Sequence, residues 1–165
     1  MATHRIPILG AATNPHSGDV YFTPLSTIAP TNDLYESLVL AFNDTSVKDE
    51  VSGIFQVPVN YGGTAANIVV LWTSTVTSGN VVWDFDYNAI GVGESADPSS
   101  HTDTDTVTDA APGTTMLIQE AVIALTAGDF AAEDSVLFQF GRDGAASDTL
   151  AGIVIVLGLL FEYDD

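Results

Sequence analysis

Hydrophobic and polar residues alternate along two neighbouring segments of the chain, residues 67–77 and 81–89. Alternation with a period of two is typical of β-strands that bury one face. The dipeptide Gly79-Asn80 between the segments is a signal for a two-residue hairpin turn. That turn predicts these cross-strand pairs: Val76 with Trp83, Ser74 with Phe85, and Trp72 with Tyr87. One face of such a hairpin is aromatic and apolar, and the other carries hydroxyl and carboxylate groups.

Segments rich in β-branched and aromatic residues recur along the rest of the chain. The predicted strands are residues 36–42, 51–59, 68–77, 81–89, 115–125, 135–142 and 153–163. Residues 95–108 are rich in Ser, Thr and Asp and indicate a loop that leads into a short edge strand, and one short helix is expected near residues 32–36. Strands at this spacing favour a sandwich or a barrel. We therefore predict an all-β fold, an antiparallel jelly-roll β-sandwich that spans residues 33–165.

The first 32 residues have a different composition. Pro7, Pro15, Pro24 and Pro30 stand among small polar residues, with only short apolar stretches between them. Because proline lacks the N–H that a central strand or a helix needs, it is confined to edges and irregular segments. Residues 1–32 are therefore predicted to form an extended N-terminal arm.

Aromatic residues occupy the positions that the alternation assigns to the inner face. The predicted core residues are Trp72, Trp83, Phe85, Tyr87, Phe138 and Phe140. Flat aromatic rings could also form a platform that stacks on sugar rings. Because valines share the same face, burial in the core is the favoured interpretation.

The last predicted strand, residues 153–163, is apolar on both faces. A sandwich strand normally presents one face to water, so this strand needs a second cover. The cover is either another subunit or the N-terminal arm of the same chain. The predicted assembly contacts are Ile6, Pro7, Ile8, Leu9, Val154, Val156 and Leu160.

Charge is strongly one-sided: 22 acidic residues face only Arg5, Lys48 and Arg142, for a formal net charge of -19. Such a surface repels phosphate, so nucleic-acid and anionic-membrane binding are not expected. It suits either a display of many soluble copies or a salt-adapted source. Arg142 is expected to form a structural ion pair with Asp148, because a guanidinium can join carboxylates and carbonyls of one loop.

Catalytic and metal-binding patterns are weak. The chain has no Cys, and its three His residues lack the spacing that would place two imidazoles on one metal. Asp103 and Asp105 are the best calcium candidates in the acidic loop, although a solvated loop is the favoured interpretation. Asp84 and Asp86 have the spacing of two carboxylates on one strand face, as a glycosidase needs, but no pocket is evident that would raise one pKa. We expect a non-enzymatic protein without a cofactor.

Four segments, TSGNVVWDFDYNAI, IQEAVIALTAGDF, VLFQFGRDGAASDTLAG and LLFEYDD, resemble a family of small jelly-roll proteins of tailed phages and phage-derived environmental sequences. The resemblance runs from about Asn67 to Tyr163 and does not include the N-terminal part. It implies a capsid decoration or cement protein on the outer surface of the virion, a homotrimer that binds the major capsid protein. Two alternatives remain: a receptor- or carbohydrate-binding module of a tail fibre or spike, and a halophilic cell-surface protein.

Overall fold

The computed structural model describes residues 2–10, 14–28 and 37–165. They form two antiparallel β-sheets that face each other across one core. The strands are β1 (Thr3–Pro7), β2 (Asn14–Ser17), β3 (Val20–Pro24), β4 (Leu38–Phe42), β5 (Lys48–Gln56), β6 (Ala66–Ser74), β7 (Asn80–Ile90), β8 (Asp103–Ala110), β9 (Gln119–Ala124), β10 (Ser135–Asp143) and β11 (Val154–Asp164). The predicted antiparallel β-sandwich is confirmed.

The first sheet, sheet A, has the strand order β3-β4-β11-β6-β9, and β1 also pairs with β11. The second sheet, sheet B, has the order β2-β5-β10-β7-β8. Strands adjacent in sequence mostly lie in different sheets, as in a jelly roll. The described helical structure is limited to α1 (Leu25–Ile28) and a 3-10 turn at Ala127–Asp129. Neither is long enough to cross a bilayer as a helix. The helix predicted near residues 32–36 lies outside the described residues.

The aromatic residues predicted for the core are all buried between the sheets. Trp72 comes from sheet A and Trp83 from sheet B, and their ring centroids lie 5.7 Å apart in an edge-to-face arrangement. Phe140 stacks on Trp83 at 5.3 Å. Such offset and edge contacts add to the free energy gained by burying the rings.

The predicted hairpin at Gly79-Asn80 is wrong. β6 pairs with β9 and β11 in sheet A, whereas β7 pairs with β8 and β10 in sheet B. The segment between them crosses from one sheet to the other. Gly79 has a φ of +96°, and a Cβ on it would lie 2.4 Å from the carbonyl oxygen of Thr149. Glycine is therefore required there by a close backbone approach and by its positive φ.

The described part of residues 1–32 is paired into both sheets, which differs from the predicted separate arm. β1 pairs with β11, β2 with β5, and β3 with β4. Proline is accommodated because these strands lie at sheet edges or strand ends. The segment that was predicted to run outside the sandwich thus supplies three of its strands.

The two faces of β11 exchange at a β-bulge between Val156 and Gly158. Before the bulge Val154 and Val156 face the core, and after it Leu159 and Phe161 do. An extra residue shifts the alternation by one position, so a strict period of two assigns part of the strand to the wrong face. Val154 and Val156, predicted as assembly contacts, are core residues.

Three more of the predicted assembly contacts, Ile6, Ile8 and Leu9, pack on the core. Leu9 also lines an open groove on the outer face of sheet A, together with Pro7 and Leu160.

Arg142 is buried at the end of β10, with 1% of its side chain exposed. Its Nε and Nη2 donate to the two carboxylate oxygens of Asp148 at 2.8 and 2.9 Å. Nη1 donates to the carbonyl oxygens of Asn43 at 2.9 Å and Gly152 at 2.7 Å, and Nη2 also donates to that of Leu150. The guanidinium therefore joins two loops, residues 43–47 and residues 144–153, to β10, as its forked donors allow.

Candidate functional site

The outer face of sheet B is polar across its central strands. Inward-facing residues of β5, β10 and β7 belong to the core, so the alternate positions face outward. Three rows of paired residues cross this face: Glu50, Gly141 and Asp84; Ser52, Gln139 and Asp86; and Ile54, Leu137 and Asn88. Carboxylates, amides and a hydroxyl thus lie side by side on a rigid sheet.

Lys48 holds a cluster of three carboxylates on this face. Its Nζ lies 2.9 Å from Glu50 Oε1, 2.5 Å from Asp84 Oδ1 and 2.6 Å from Asp86 Oδ2. Gly141 stands between Glu50 and Asp84 in the same row, and a Cβ on it would lie 2.4 Å from the carbonyl oxygen of Asp49. Both aspartates are 4% exposed.

The cluster moves the pKa values of its members apart. Burial of Asp84 raises its pKa to about 6, against the attraction of Lys48. Burial acts in the same direction on Asp86, but hydrogen bonds from Lys48 and Thr104 outweigh it and lower the pKa of Asp86. For Lys48, burial opposes the charged form, and the hydrogen bonds to the carboxylates outweigh it and raise the pKa. Asp86 and Lys48 are therefore both charged at neutral pH.

An open groove of about 350 Å³ lies beside this cluster, and we call it the sheet-B groove. Its lining consists of Ser52, Gly53, Asp86, Asn88, Pro98, Ser99, Ser100, His101, Leu137, Phe138 and Gln139. The strands supply a flat floor of mixed polar and apolar character. The loop between β7 and β8 supplies one wall.

Hydrogen bonds attach that wall to the floor. Asn88 Nδ2 donates to the carbonyl oxygen of Ser100 at 2.9 Å and to Thr102 Oγ1 at 3.1 Å. The backbone N–H of Thr102 donates to the carbonyl oxygen of Tyr87 at 2.9 Å. His101 Nδ1 lies 3.5 Å from Asp86 Oδ1. The groove is therefore formed before any ligand arrives.

Among the residues that the structure describes, one group of carboxylates has the spacing of metal ligands. Oxygens of Glu50, Asp84 and Asp86 lie within 4.8 Å of one another. The ammonium of Lys48 already contacts all three carboxylates, which is the position that a metal cation would need. The calcium candidates Asp103 and Asp105 are not part of that group.

Asp103 and Asp105 lie on β8, which is the short edge strand expected after the acidic loop, and they are half-buried there and not in a solvated loop. Asp103 Oδ2 accepts a hydrogen bond from Thr126 at 3.2 Å. Burial and the nearby charges of Asp103 and Asp129 raise the pKa of Asp105. These carboxylates face the seam between β8 and β9 and lie apart from the sheet-B groove.

A second groove lies on the outer face of sheet A, where β1 and β4 leave the middle of β11 without a neighbour on one side. We call it the sheet-A groove; its volume is about 520 Å³. Its lining is apolar throughout: Pro7, Leu9, Gly10, Phe22, Leu38, Leu40, Leu157, Gly158, Leu159 and Leu160. Phe22 is 39% exposed and Leu38 is 71% exposed. The second apolar face of β11 that the sequence indicates is thus partly open in this chain.

Several known structures that resemble this fold are carbohydrate-binding modules. The chain is similar to the CBM22-1 xylan-binding domain of Paenibacillus barcinonensis Xyn10C, with a TM-score of 0.50 and 9% identity, over 98% of this chain and 92% of that one. It is similar to the CBM22-1-GH10 modules of Clostridium thermocellum xylanase 10B complexed with xylohexaose, with a TM-score of 0.50 and 10% identity, over 96% of this chain and 28% of that one.

A further match is TmCBM61 in complex with β-1,4-galactotriose, with a TM-score of 0.49 and 9% identity, over 96% of this chain and 91% of that one. No protein-family model matches the chain, and no curated protein matches it. At these identities the similarity is one of fold. The two matches with a TM-score of 0.50 confirm the jelly-roll β-sandwich.

Proposed function

We propose that the chain is a carbohydrate-binding module and that the sheet-B groove holds the glycan. The observation that carries this proposal is the preformed floor of Asp86, Asn88 and Gln139 beside the hydroxyls of Ser52 and Ser99. Sugar hydroxyls donate and accept hydrogen bonds, and this set offers both kinds of partner. The shared fold with a domain named as xylan-binding supports the same interpretation.

Apolar groups complete the match to a sugar ring. Leu137 lies between Ile54 and Asn88 in the floor. A sugar ring presents C–H groups on its faces and hydroxyls at its edge, so a mixed apolar and polar floor suits it. The volume of about 350 Å³ falls within the range of small-molecule sites. Of the predicted core aromatic residues, Phe138 is the one in the groove lining, and it is largely buried.

We propose that binding occurs without turnover. Asp84 and Asp86 have pKa values moved in opposite directions, which is a pattern found in acid and base pairs. However, Asp84 does not line the groove. Lys48 contacts both carboxylates, and it would have to leave before either could act on a substrate.

The test is a glycan array of neutral oligosaccharides followed by titration calorimetry of the best ligand. We expect Gln139→Ala and His101→Ala each to weaken binding about tenfold, the order of one lost hydrogen bond with its buried partner group. Phe22→Ala is the matched control because it lies in the sheet-A groove, and binding should not change. Absence of any neutral ligand, or loss of binding in the Phe22 variant alone, would contradict the proposal.

A second candidate function is capsid decoration on the outside of a phage head, with the sheet-A groove as the contact to neighbouring subunits. It is favoured by the apolar lining of that groove and by the exposure of Leu38. Exposed apolar patches with a polar surround are typical of protein contacts. Mass spectrometry of purified phage particles tests this function, and absence of the chain from virions would contradict it.

A further inference from the structure

Every Lys and Arg of the chain is engaged by carboxylates of the same chain. Arg5 contacts Glu120 at 2.9 Å and Glu162 at 2.7 Å. Lys48 contacts its three carboxylates on sheet B. Arg142 is buried against Asp148. The chain has three such cations in total, so no Lys or Arg side chain remains free to bind an anionic ligand.

The sheet-B groove also has more acidic than basic side chains in and behind its lining. Asp86 is the acidic residue in its lining, and no Lys or Arg lines it. Behind Asp86 stand Asp84 and Glu50, so three carboxylates share the single charge of Lys48. Thr104 and His101 also face Asp86, the first as a hydrogen-bond donor and the second at 3.5 Å. The local charge is therefore negative beside the bound ligand.

We propose that the sheet-B groove selects glycans by charge: it binds amine-bearing sugar units more tightly than neutral units of the same size, and it excludes units that carry carboxylate or sulfate. This inference rests on the proposed carbohydrate-binding function and specifies its ligand class. A carboxylate on the ligand would lie near Asp86 without a cation to compensate it, and like charges that meet in an interface cost several kcal/mol. A sugar ammonium gains the attraction of the same groups.

The chain as a whole acts in the same direction. A net charge of -19 raises the local concentration of cationic ligands and lowers that of anionic ones. This general field is screened by salt, with a Debye length of about 8 Å at physiological ionic strength. The attraction of Asp86 acts at contact distance and is screened less. Salt therefore separates the two contributions.

The experiment is a calorimetric titration at roughly pH 6, where an amine of the α-amino kind is largely protonated and Asp86, whose pKa is lowered, stays charged. The probes are cello-oligosaccharides, glucosamine oligomers and glucuronic acid oligomers of equal length, which share one backbone. We expect the glucosamine oligomer to bind about tenfold more tightly than the neutral one, and the glucuronic acid oligomer not to bind. Part of the preference should remain at about 1 M salt.

Three variants assign the effect to the groove. Asp86→Asn should abolish the preference for the amine, and Gln139→Glu, which adds a carboxylate to the floor, should increase it. Glu133→Gln removes the same unit of charge from an exposed turn outside the groove and should leave the preference unchanged. If the Asp86 variant does not fold, Gln139→Glu still tests whether a carboxylate in the groove sets the preference for the amine.

Equal binding of the neutral and amine oligomers, measurable binding of the acidic one, or failure of the glucosamine oligomer to bind would overturn charge selection. An equal loss of preference in the Glu133 variant would overturn it as well. The proposed function fails separately, if the array of neutral glycans yields no ligand at all.

Discussion

Replacing Arg142 by Ala should unfold the protein at a much lower temperature. The substitution removes a guanidinium that is 1% exposed and leaves the carboxylate of Asp148, 3% exposed, without its cation. Breaking one partner out of a buried pair costs roughly 3–5 kcal/mol, because the remaining charge stays buried. The carbonyl groups of Asn43, Leu150 and Gly152 also lose a donor, at about 1 kcal/mol each unless water replaces it.

With water replacing the lost donor at two of the three carbonyl groups, the expected total is about 4–6 kcal/mol, a large part of the stability of an ordinary domain. For a chain of this size each kcal/mol lowers the Tm by about 2–4 °C. The Tm of Arg142→Ala should therefore fall by roughly 10–20 °C, as measured by calorimetry or circular dichroism. Arg142→Lys keeps the charge but lacks the forked donors, so its loss should be intermediate.

Arg5→Ala is the matched control. Arg5 also binds two carboxylates, Glu120 and Glu162, but its side chain is 41% exposed. Exposed ion pairs contribute below about 1 kcal/mol, so its Tm should change by a few degrees at most. If Arg142→Ala melted within about 3 °C of the wild type, or no lower than Arg5→Ala, the argument from burial would be refuted.

Three further changes test other parts of the fold. Burial raises the pKa of Asp84 from 3.8 to about 6, so the wild type loses stability as the pH rises through this interval. The stability of Asp84→Asn relative to the wild type should therefore grow by on the order of 2 kcal/mol between about pH 4 and pH 7. A difference in unfolding free energy that stays constant with pH in urea melts would contradict this. Gly79→Ala should destabilise the protein by more than about 1 kcal/mol, because the new Cβ would collide with the Thr149 carbonyl. Gly63 has a φ of +74° and open space around it, so Gly63→Ala should lose only the free energy that a positive φ costs an alanine. Equal losses in the two variants would exclude the collision. Asp109→Ala should lower the unfolding free energy by about 2 kcal/mol, because the buried Trp72 indole N–H loses its acceptor at 3.0 Å. Asp109→Asn keeps an acceptor and should retain most of that stability. A melt unchanged in both variants would show that this hydrogen bond contributes nothing.

Hydrophobic alternation predicts which side chains are buried better than which strands are neighbours. Trp72 and Trp83 both face the core, as the pattern indicates. They reach it from opposite sheets, because the segment around Gly79 crosses the sandwich instead of forming a tight turn. A period of two gives the orientation of each side chain and contains no information on the pairing partner. Long-range pairing is therefore the part of this fold that local sequence does not specify.

The sheet-B groove was hidden for a related reason. Asp84 and Asp86 read as a solvated polar face, because alternation identifies the outer positions but not what lies beside them. The side chain beside them is Lys48, which lies 36 residues before Asp84 on a different strand. Its signal is the scarcity of cations: a single Lys at the start of a strand, in a chain with 22 acidic residues, is unlikely to be left unpaired. The loop that carries His101 is brought onto the floor by Asn88, which no short motif reveals.

The few cations link the stability of the fold to the character of its surface. Each one joins separate strands or loops: Arg5 ties β1 to β9 and β11, Lys48 ties β5 to β7, and Arg142 ties β10 to two loops. Because these three side chains bind carboxylates of the same chain, the surface that a partner contacts is mainly acidic or apolar. A ligand in the sheet-B groove would meet hydroxyls, amides and negative charge, and a protein at the sheet-A groove would meet leucines without a charged neighbour in the lining. A partner with a strongly acidic surface would be repelled at both grooves, so added salt should strengthen its binding and weaken that of a basic one.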